Sequence, residues 1–136
     1  MVTRLVALPR KLAGEGEVKI DESVHITVYG RAPKPPKAKI TRVYGVYRGR
    51  VYKLYPEGER MTVRYGEKFD IEVYVRNEGE VLGDFWVELR EEFTMKLVKK
   101  GEARISPGAE GLIPLRGITM PEKKEWRLVV IAGHYE

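Results

Sequence analysis

Apolar and polar residues alternate most regularly between residues 69 and 76. Successive side chains of a β-strand point to opposite faces of the sheet, so this segment can bury one face and expose the other. Gly66 precedes the run, and Asn77 and Gly79 close it with residues that tolerate left-handed turns. The segment therefore predicts a strand of a two-layered β structure. Its apolar face consists of Phe69, Ile71, Val73 and Val75.

Similar short runs recur along the chain and are separated by turns rich in glycine and proline. No window of useful length has the apolar spacing of a helix. Many short strands with turns roughly every 8–12 residues favour an all-β sandwich or barrel. A turn is predicted at Lys99-Lys-Gly101. The predicted strands cover residues 39–47, 50–55, 61–65, 69–76, 84–91, 93–98, 103–105, 112–118 and 126–131.

The chain before residue 39 has a different pattern from the remainder, with two predicted strands followed by a proline-rich segment. Residues 1–30 are predicted to form a two-stranded β arm from strands at 2–8 and 23–29. Residues 31–38 hold three prolines, which fix φ and lack amide donors, so they predict an extended linker. A lone hairpin is only marginally stable in water. We therefore expect the arm to add to the edge of its own sandwich, which occupies residues 39–136, or to pair with another copy.

Turn residues and strands within roughly residues 60–132 follow a recognisable order. First come Gly66, the strand 69–75, Asn77 and Gly79. Then come Pro107-Gly108, an apolar strand, Pro121 and a closing strand. This arrangement resembles the immunoglobulin-like modules of prokaryotic surface proteins, including the bacterial cell-adhesion-related family. The resemblance implies an immunoglobulin-like antiparallel β-sandwich. It does not imply an activity, because such sandwiches host unrelated functions.

Composition narrows the class of protein. Charged residues make up 33% of the chain, and there is no cysteine, no glutamine and a single asparagine. Many charges with few thermolabile amides are typical of hyperthermophile proteins, so we expect a thermophilic, archaeal or other prokaryotic source, or its virus. The absence of cysteine excludes disulfides, thiolate metal sites and cysteine nucleophiles. We expect no signal peptide or transmembrane segment, and favour a virion or a cell surface as the location.

Positive charge is concentrated in residues 31–64, where ten basic residues accompany only Glu57 and Glu59, although the whole chain carries +5. Tyrosines are interleaved with these charges. Basic side chains can neutralise phosphates and aromatic rings can stack on bases, so residues 42–55 are a candidate surface for nucleic acid or another anionic polymer. Tyrosine is also a favoured strand residue, and lysine protects sheet edges. The possible binding surface consists of Tyr44, Tyr47, Arg48, Arg50, Tyr52, Lys53 and Trp86.

Trp86 has two interpretations. If Phe85, Val87 and Leu89 face the core, Trp86 faces outward and could anchor an interface. If a bulge reverses the alternation, Trp86 belongs to the core. The sequence leaves both open.

No set of residues suggests catalysis. His25 and His134 are the only histidines, and neither has an acidic cluster at metal-ligand spacing. We expect His25 to be solvated and His134 to lie in a frayed end. Ser106 belongs to a turn, and no glycine-rich phosphate loop precedes a helix. We predict no cofactor, no metal and no enzymatic activity.

These observations predict a structural, adhesive or assembly module that associates by β-strand contacts, with other copies or other structural proteins as partners. Binding of nucleic acid or an anionic polymer through residues 42–55 is the alternative.

Overall fold

The computed structural model describes residues 19–136 of the chain. The chain divides into two compact units, Met1–Ala32 and Pro33–Glu136. Residues 19–32 of the first unit contain neither helix nor strand, and their side chains are exposed. The predicted strand at 23–29 is therefore wrong for the single chain, because alternation alone does not supply a hydrogen-bonded neighbour. The other predicted strand of the arm, 2–8, lies outside the described residues.

Seven antiparallel strands form the second unit, and the residues described in the chain include no helix. One sheet has four strands in the order β2-β1-β3-β6, and the other has three in the order β5-β4-β7. This confirms the prediction of an all-β, two-sheet sandwich. The strands are β1 (Ala38–Tyr47), β2 (Arg50–Tyr55), β3 (Lys68–Asn77), β4 (Gly83–Glu91), β5 (Leu97–Ile105), β6 (Glu110–Thr119) and β7 (Leu128–His134).

The core lies between the two sheets and is supplied mainly by alternate residues of the central strands. In β3 the predicted apolar face is buried, and in β4 Phe85, Val87 and Leu89 are buried as expected. Both results follow from the period of two that places alternate side chains on one face. The buried apolar residues are Val43, Tyr47, Val63, Phe69, Ile71, Val73, Val75, Phe85, Val87, Leu89, Ile105, Ile113, Leu115 and Ile118.

The two lateral sides of the sandwich, where the edges of the two sheets meet, differ in how closely the strands pack. The chain crosses between the sheets after β3, after β5 and after β6. On one side β5 packs against β6, whereas on the other side the contact between β1 and β7 is sparser. The second side is therefore the more open one.

The prediction of two short strands with a turn at Lys99-Lys-Gly101 is wrong, because this segment forms the single strand β5. One strand runs from Leu97 to Ile105, and the turn precedes it, with positive φ at Phe93 and Met95. Gly101 lies opposite Ile113, whose Cγ2 would be 2.7 Å from any added Cβ. The glycine therefore allows a close approach between the sheets and does not make a turn.

Residues 61–65 also differ from expectation, because they form no strand. Val63 is buried and Met61 packs against the core, so the apolar alternation is satisfied without a ladder of backbone hydrogen bonds. Gly66 ends the segment, with its amide donating to the carbonyl of Met120 at 2.8 Å. At the other end of the chain, β7 extends to His134, which therefore lies in a strand and not in the frayed end predicted for it.

Asn77 holds the turn between β3 and β4. Its side chain is fully buried and donates to the carbonyl oxygens of Val81 at 2.8 Å and Ile105 at 3.0 Å. Its Oδ1 accepts from the amide of Gly79 at 2.9 Å. The segment 34–37, which falls in the predicted linker, hydrogen-bonds to this same turn through the backbone.

Candidate functional site

Five of the seven residues of the predicted binding surface fall in three separate places. Arg50 and Tyr52 lie on β2, where Tyr52 packs against the core. The first place is the outer face of the four-stranded sheet, where Tyr44 is paired with Lys53 of β2. The Tyr44 ring meets Tyr74 edge to face, with centroids 5.6 Å apart. The Arg42 guanidinium lies 4.1 Å from the Tyr74 ring centre and donates to Glu110 at 2.5 Å.

The second place is the turn between β1 and β2. Tyr47 faces the core, and its hydroxyl donates to a Glu67 carboxylate oxygen. Arg48, next along the chain, donates to the other oxygen of Glu67 at 2.8 Å. These two hydrogen bonds, Tyr47 first, lower the pKa of Glu67. The carboxylate therefore stays ionised and fixes the turn.

Ion pairs compensate much of the basic stretch. Arg50 lies 4.8 Å from the ring centre of Tyr52 and 3.6 Å from a Glu59 oxygen. Arg42 and Arg48 are likewise paired with carboxylates. The local surplus of positive charge seen in the sequence is thus partly neutralised where it is densest.

The third place is the outer face of the other sheet, which carries Trp86. Phe85 and Val87 are buried, so the alternation is not reversed and Trp86 faces outward. Its indole is only half-buried and covers Gly133, the paired residue of β7. A Cβ at Gly133 would collide with this ring. The structure therefore does not bring Trp86 together with the tyrosines and arginines.

A different feature dominates the open side of the sandwich: a groove of about 1310 Å³ between strands β1–β2 and the edge strand β7. We call it the side groove. Most of its apolar lining is only half-buried, so this part of the core is open to solvent. Its apolar lining includes Ile40, Val43, Leu54, Met61, Leu128 and Val130.

Charged and aromatic residues line the end of the side groove that precedes β7. Trp126 packs edge to face on Phe69, with centroids 6.3 Å apart, and its Nε1 donates to Glu91 at 2.9 Å. This hydrogen bond, followed by the nearby charge of Lys123, lowers the pKa of Glu91. Lys124 also lines this end of the groove. Glu125 lines this end as well, and Lys123 pairs with Glu91 at 3.5 Å. The end is therefore fixed in position and carries charges of both signs.

Strand β7, which borders the side groove, differs from the other three edge strands. β2 carries Arg50 and Lys53, β5 carries adjacent lysines, and β6 carries Pro114 and Arg116. Charges and proline on an edge prevent it from pairing with another chain. β7 reads Leu-Val-Val-Ile-Ala-Gly-His and has neither. Among residues 19–136 it pairs only with β4, so its other edge has no strand beside it.

No family model, curated protein or solved structure matches the chain.

The described residues offer no centre for bound metal. Within 19–136, no three or more histidine, aspartate or glutamate side chains are grouped so that they could hold an ion. His25 is exposed, and the His134 ring lies 6.3 Å from that of Phe85. In the same part of the chain no helix is long and apolar enough to cross a membrane.

Sequence reasoning missed the side groove for two reasons. Its lining comes from segments far apart in the chain, including Met61, which was assigned to a strand. A usable signal was present in the residues Leu128–Gly133, an apolar run without a charge. The sequence could not tell that this run forms an edge, because strand order depends on how the whole chain folds.

Proposed function

We propose that this chain is a non-enzymatic structural or adhesion module that assembles by β-strand contacts. Its setting is a virion or the cell surface of a thermophilic prokaryote. The resemblance in its turns supports a sandwich of the immunoglobulin-like kind found in prokaryotic cell-adhesion-related modules. The assembly surface is the edge of β7 that pairs with no other strand among residues 19–136, called here its free edge.

The observation that carries this proposal is the combination of an apolar, uncharged edge strand with an open apolar groove beside it. Leu128 and Val130 line the side groove, and every residue of β7 is only partly buried. Sheet edges pair readily with other chains unless charges, proline or bulges prevent it. Strand addition to β7 would extend the three-stranded sheet and cover the groove in one step.

Light scattering on the full chain tests assembly. We expect a concentration-dependent mass above the 15.6 kDa of one chain. Leu128, Val130 and Ala132 pack toward the core, so Val129 and Ile131 face outward. Lysines at both outward positions should restore the single-chain mass, because charge on an edge strand opposes pairing.

A matched control places the same charge on an edge that is already protected. Val51, on β2, is 53% exposed, and Val51→Lys should leave the assembled mass unchanged. A mass of 15.6 kDa for the natural chain at every concentration would contradict the proposal.

Binding of nucleic acid through residues 42–55 is less well supported, because Arg42, Arg48 and Arg50 each have a carboxylate partner. Retention on heparin across a salt gradient tests it. Elution at low salt that is insensitive to replacing Arg48 and Arg50 by alanine is the result we expect.

A further inference from the structure

Residues 23–29 have the pattern of a strand but lack one in the structure. Val24, Ile26 and Val28 alternate with polar residues and are 78%, 81% and 84% exposed. β-branched side chains at alternate positions suit a sheet with one face buried. The segment therefore carries an apolar face that the described chain leaves in solvent.

The side groove and β7 match this segment in length and chemistry. β7 has 7 residues, from Leu128 to His134, the same length as 23–29. On β7 the inward positions adjoin the open, half-buried lining of the side groove. A strand beside β7 would point alternate side chains into that groove and the others to the outer face.

We propose that residues 23–29 of one copy add as a strand to the free edge of β7 in a second copy. Val24, Ile26 and Val28 then fill the side groove. This inference rests on the proposed function and specifies which two surfaces meet.

Charge favours one direction for the added strand. The groove end that precedes β7 carries Glu125 and a Lys123 already paired with Glu91, but it also carries Lys124. Asp21 and Glu22 directly precede the segment, and they are opposite in charge to these lysines. A strand parallel to β7 brings these opposite charges to the same end. An antiparallel strand would place the acidic pair near the other end of β7, away from the lysines. We therefore assign the parallel direction.

The contact joins two different surfaces, so it is heterologous. Each copy has one segment to give and one edge to receive it. Two copies that exchange their segments reciprocally close a symmetric dimer, whereas one-way addition builds larger rings or open filaments. Pairing of one β7 with another β7 always ends at a dimer, so an assembly larger than a dimer excludes it.

Two substitutions in the full chain test the inserted face. Ile26→Asp puts a charge at the centre of the apolar face, whereas Thr27→Asp puts it on the opposite face of the same segment. Because both side chains are exposed and belong to the first unit, neither substitution should alter the stability of the sandwich. We expect Ile26→Asp to abolish assembly in light scattering and Thr27→Asp to retain it.

Disulfide trapping tests position and direction, because the chain has no cysteine of its own. A His25→Cys protein is mixed with a Val129→Cys protein under a mild oxidant. Parallel addition predicts a mixed disulfide between them, in excess over that formed by Thr27→Cys with Val129→Cys. Lys99→Cys, on the edge strand β5, is the control acceptor and should not couple.

The outcomes separate this inference from the proposed function. If β7 lysines abolish assembly but Ile26→Asp does not, strand-mediated assembly stands and the assignment of residues 23–29 is overturned. If His25→Cys couples to Val129→Cys only when both are in one chain, the segment covers its own groove, which also overturns the inference. If the natural chain never exceeds one chain in mass, the proposed function fails first.

Discussion

Asn77 offers the sharpest test of how the sandwich is held. Removing its side chain by Asn77→Ala takes away three hydrogen bonds of 2.8, 3.0 and 2.9 Å. Two of them lie within the turn after β3, and the one to Ile105 joins this turn to the end of β5. The side chain is fully buried, so water cannot readily replace the lost partners. The substitution should therefore leave the Ile105 carbonyl and the Gly79 amide unsatisfied.

The magnitude follows from the number of groups affected. An unsatisfied buried donor or acceptor costs about 1–3 kcal/mol, and Val81 is partly able to reach solvent. We expect the free energy of unfolding to fall by about 3–5 kcal/mol, a large fraction of the 5–15 kcal/mol typical of a domain. For a unit of this size the melting temperature should drop by at least roughly 10 °C.

Guanidinium unfolding at a fixed protein concentration measures this loss as a shift in midpoint with an unchanged slope. Glu78→Ala, at the exposed neighbouring position, is the control and should change stability by less than about 0.5 kcal/mol. Asn77→Asp keeps the shape but turns a carboxylate oxygen toward two carbonyls, so its deficit relative to the natural chain should shrink as pH falls and the carboxyl protonates. A cost below about 1 kcal/mol for Asn77→Ala would refute the reasoning.

The remaining predictions concern packing and pH. Gly101→Val should cost about 1–3 kcal/mol of stability in the same assay, because its Cβ would lie 2.7 Å from the Cγ2 of the buried Ile113. Stability should also fall in acid, because Trp126 and then Lys123 lower the pKa of Glu91 below its ordinary 4.5. That contribution is present above 4.5 and is lost as pH falls through the lower folded value. In Glu91→Gln this part of the acid loss should be absent from pH-dependent unfolding curves.

The sequence predicts the centre of this fold better than its margins. In β3 the alternation is unambiguous because both faces are defined, and the burial of Phe69 to Val75 agrees with it. The burial of Phe85, Val87 and Leu89 in β4 agrees with its alternation in the same way, whereas the sequence left the position of Trp86 open. Each of these elements is specified by its own residues, so local reasoning suffices.

The predictions are wrong where contacts between distant segments of the chain determine the local structure. Gly101 was assigned to a turn because glycine usually marks one, but the close approach of Ile113 requires it inside a strand. Residues 61–65 bury apolar side chains without pairing, which no local pattern distinguishes from a strand. Strand order leaves β7 at an edge, and only the assembled sheet reveals this. The sequence therefore does not reveal the candidate site, whereas the basic stretch is evident because its residues are contiguous.

Hydrogen exchange measured over a range of protein concentrations tests the central claim most directly, because it reports on the backbone amides of β7 themselves. The account predicts that protection of Leu128–His134 and of residues 23–29 rises together with concentration. The edge strand β2, Arg50–Tyr55, should show no such rise. Protection of β7 that stays the same at every concentration would contradict the claim that its free edge joins one copy to the next.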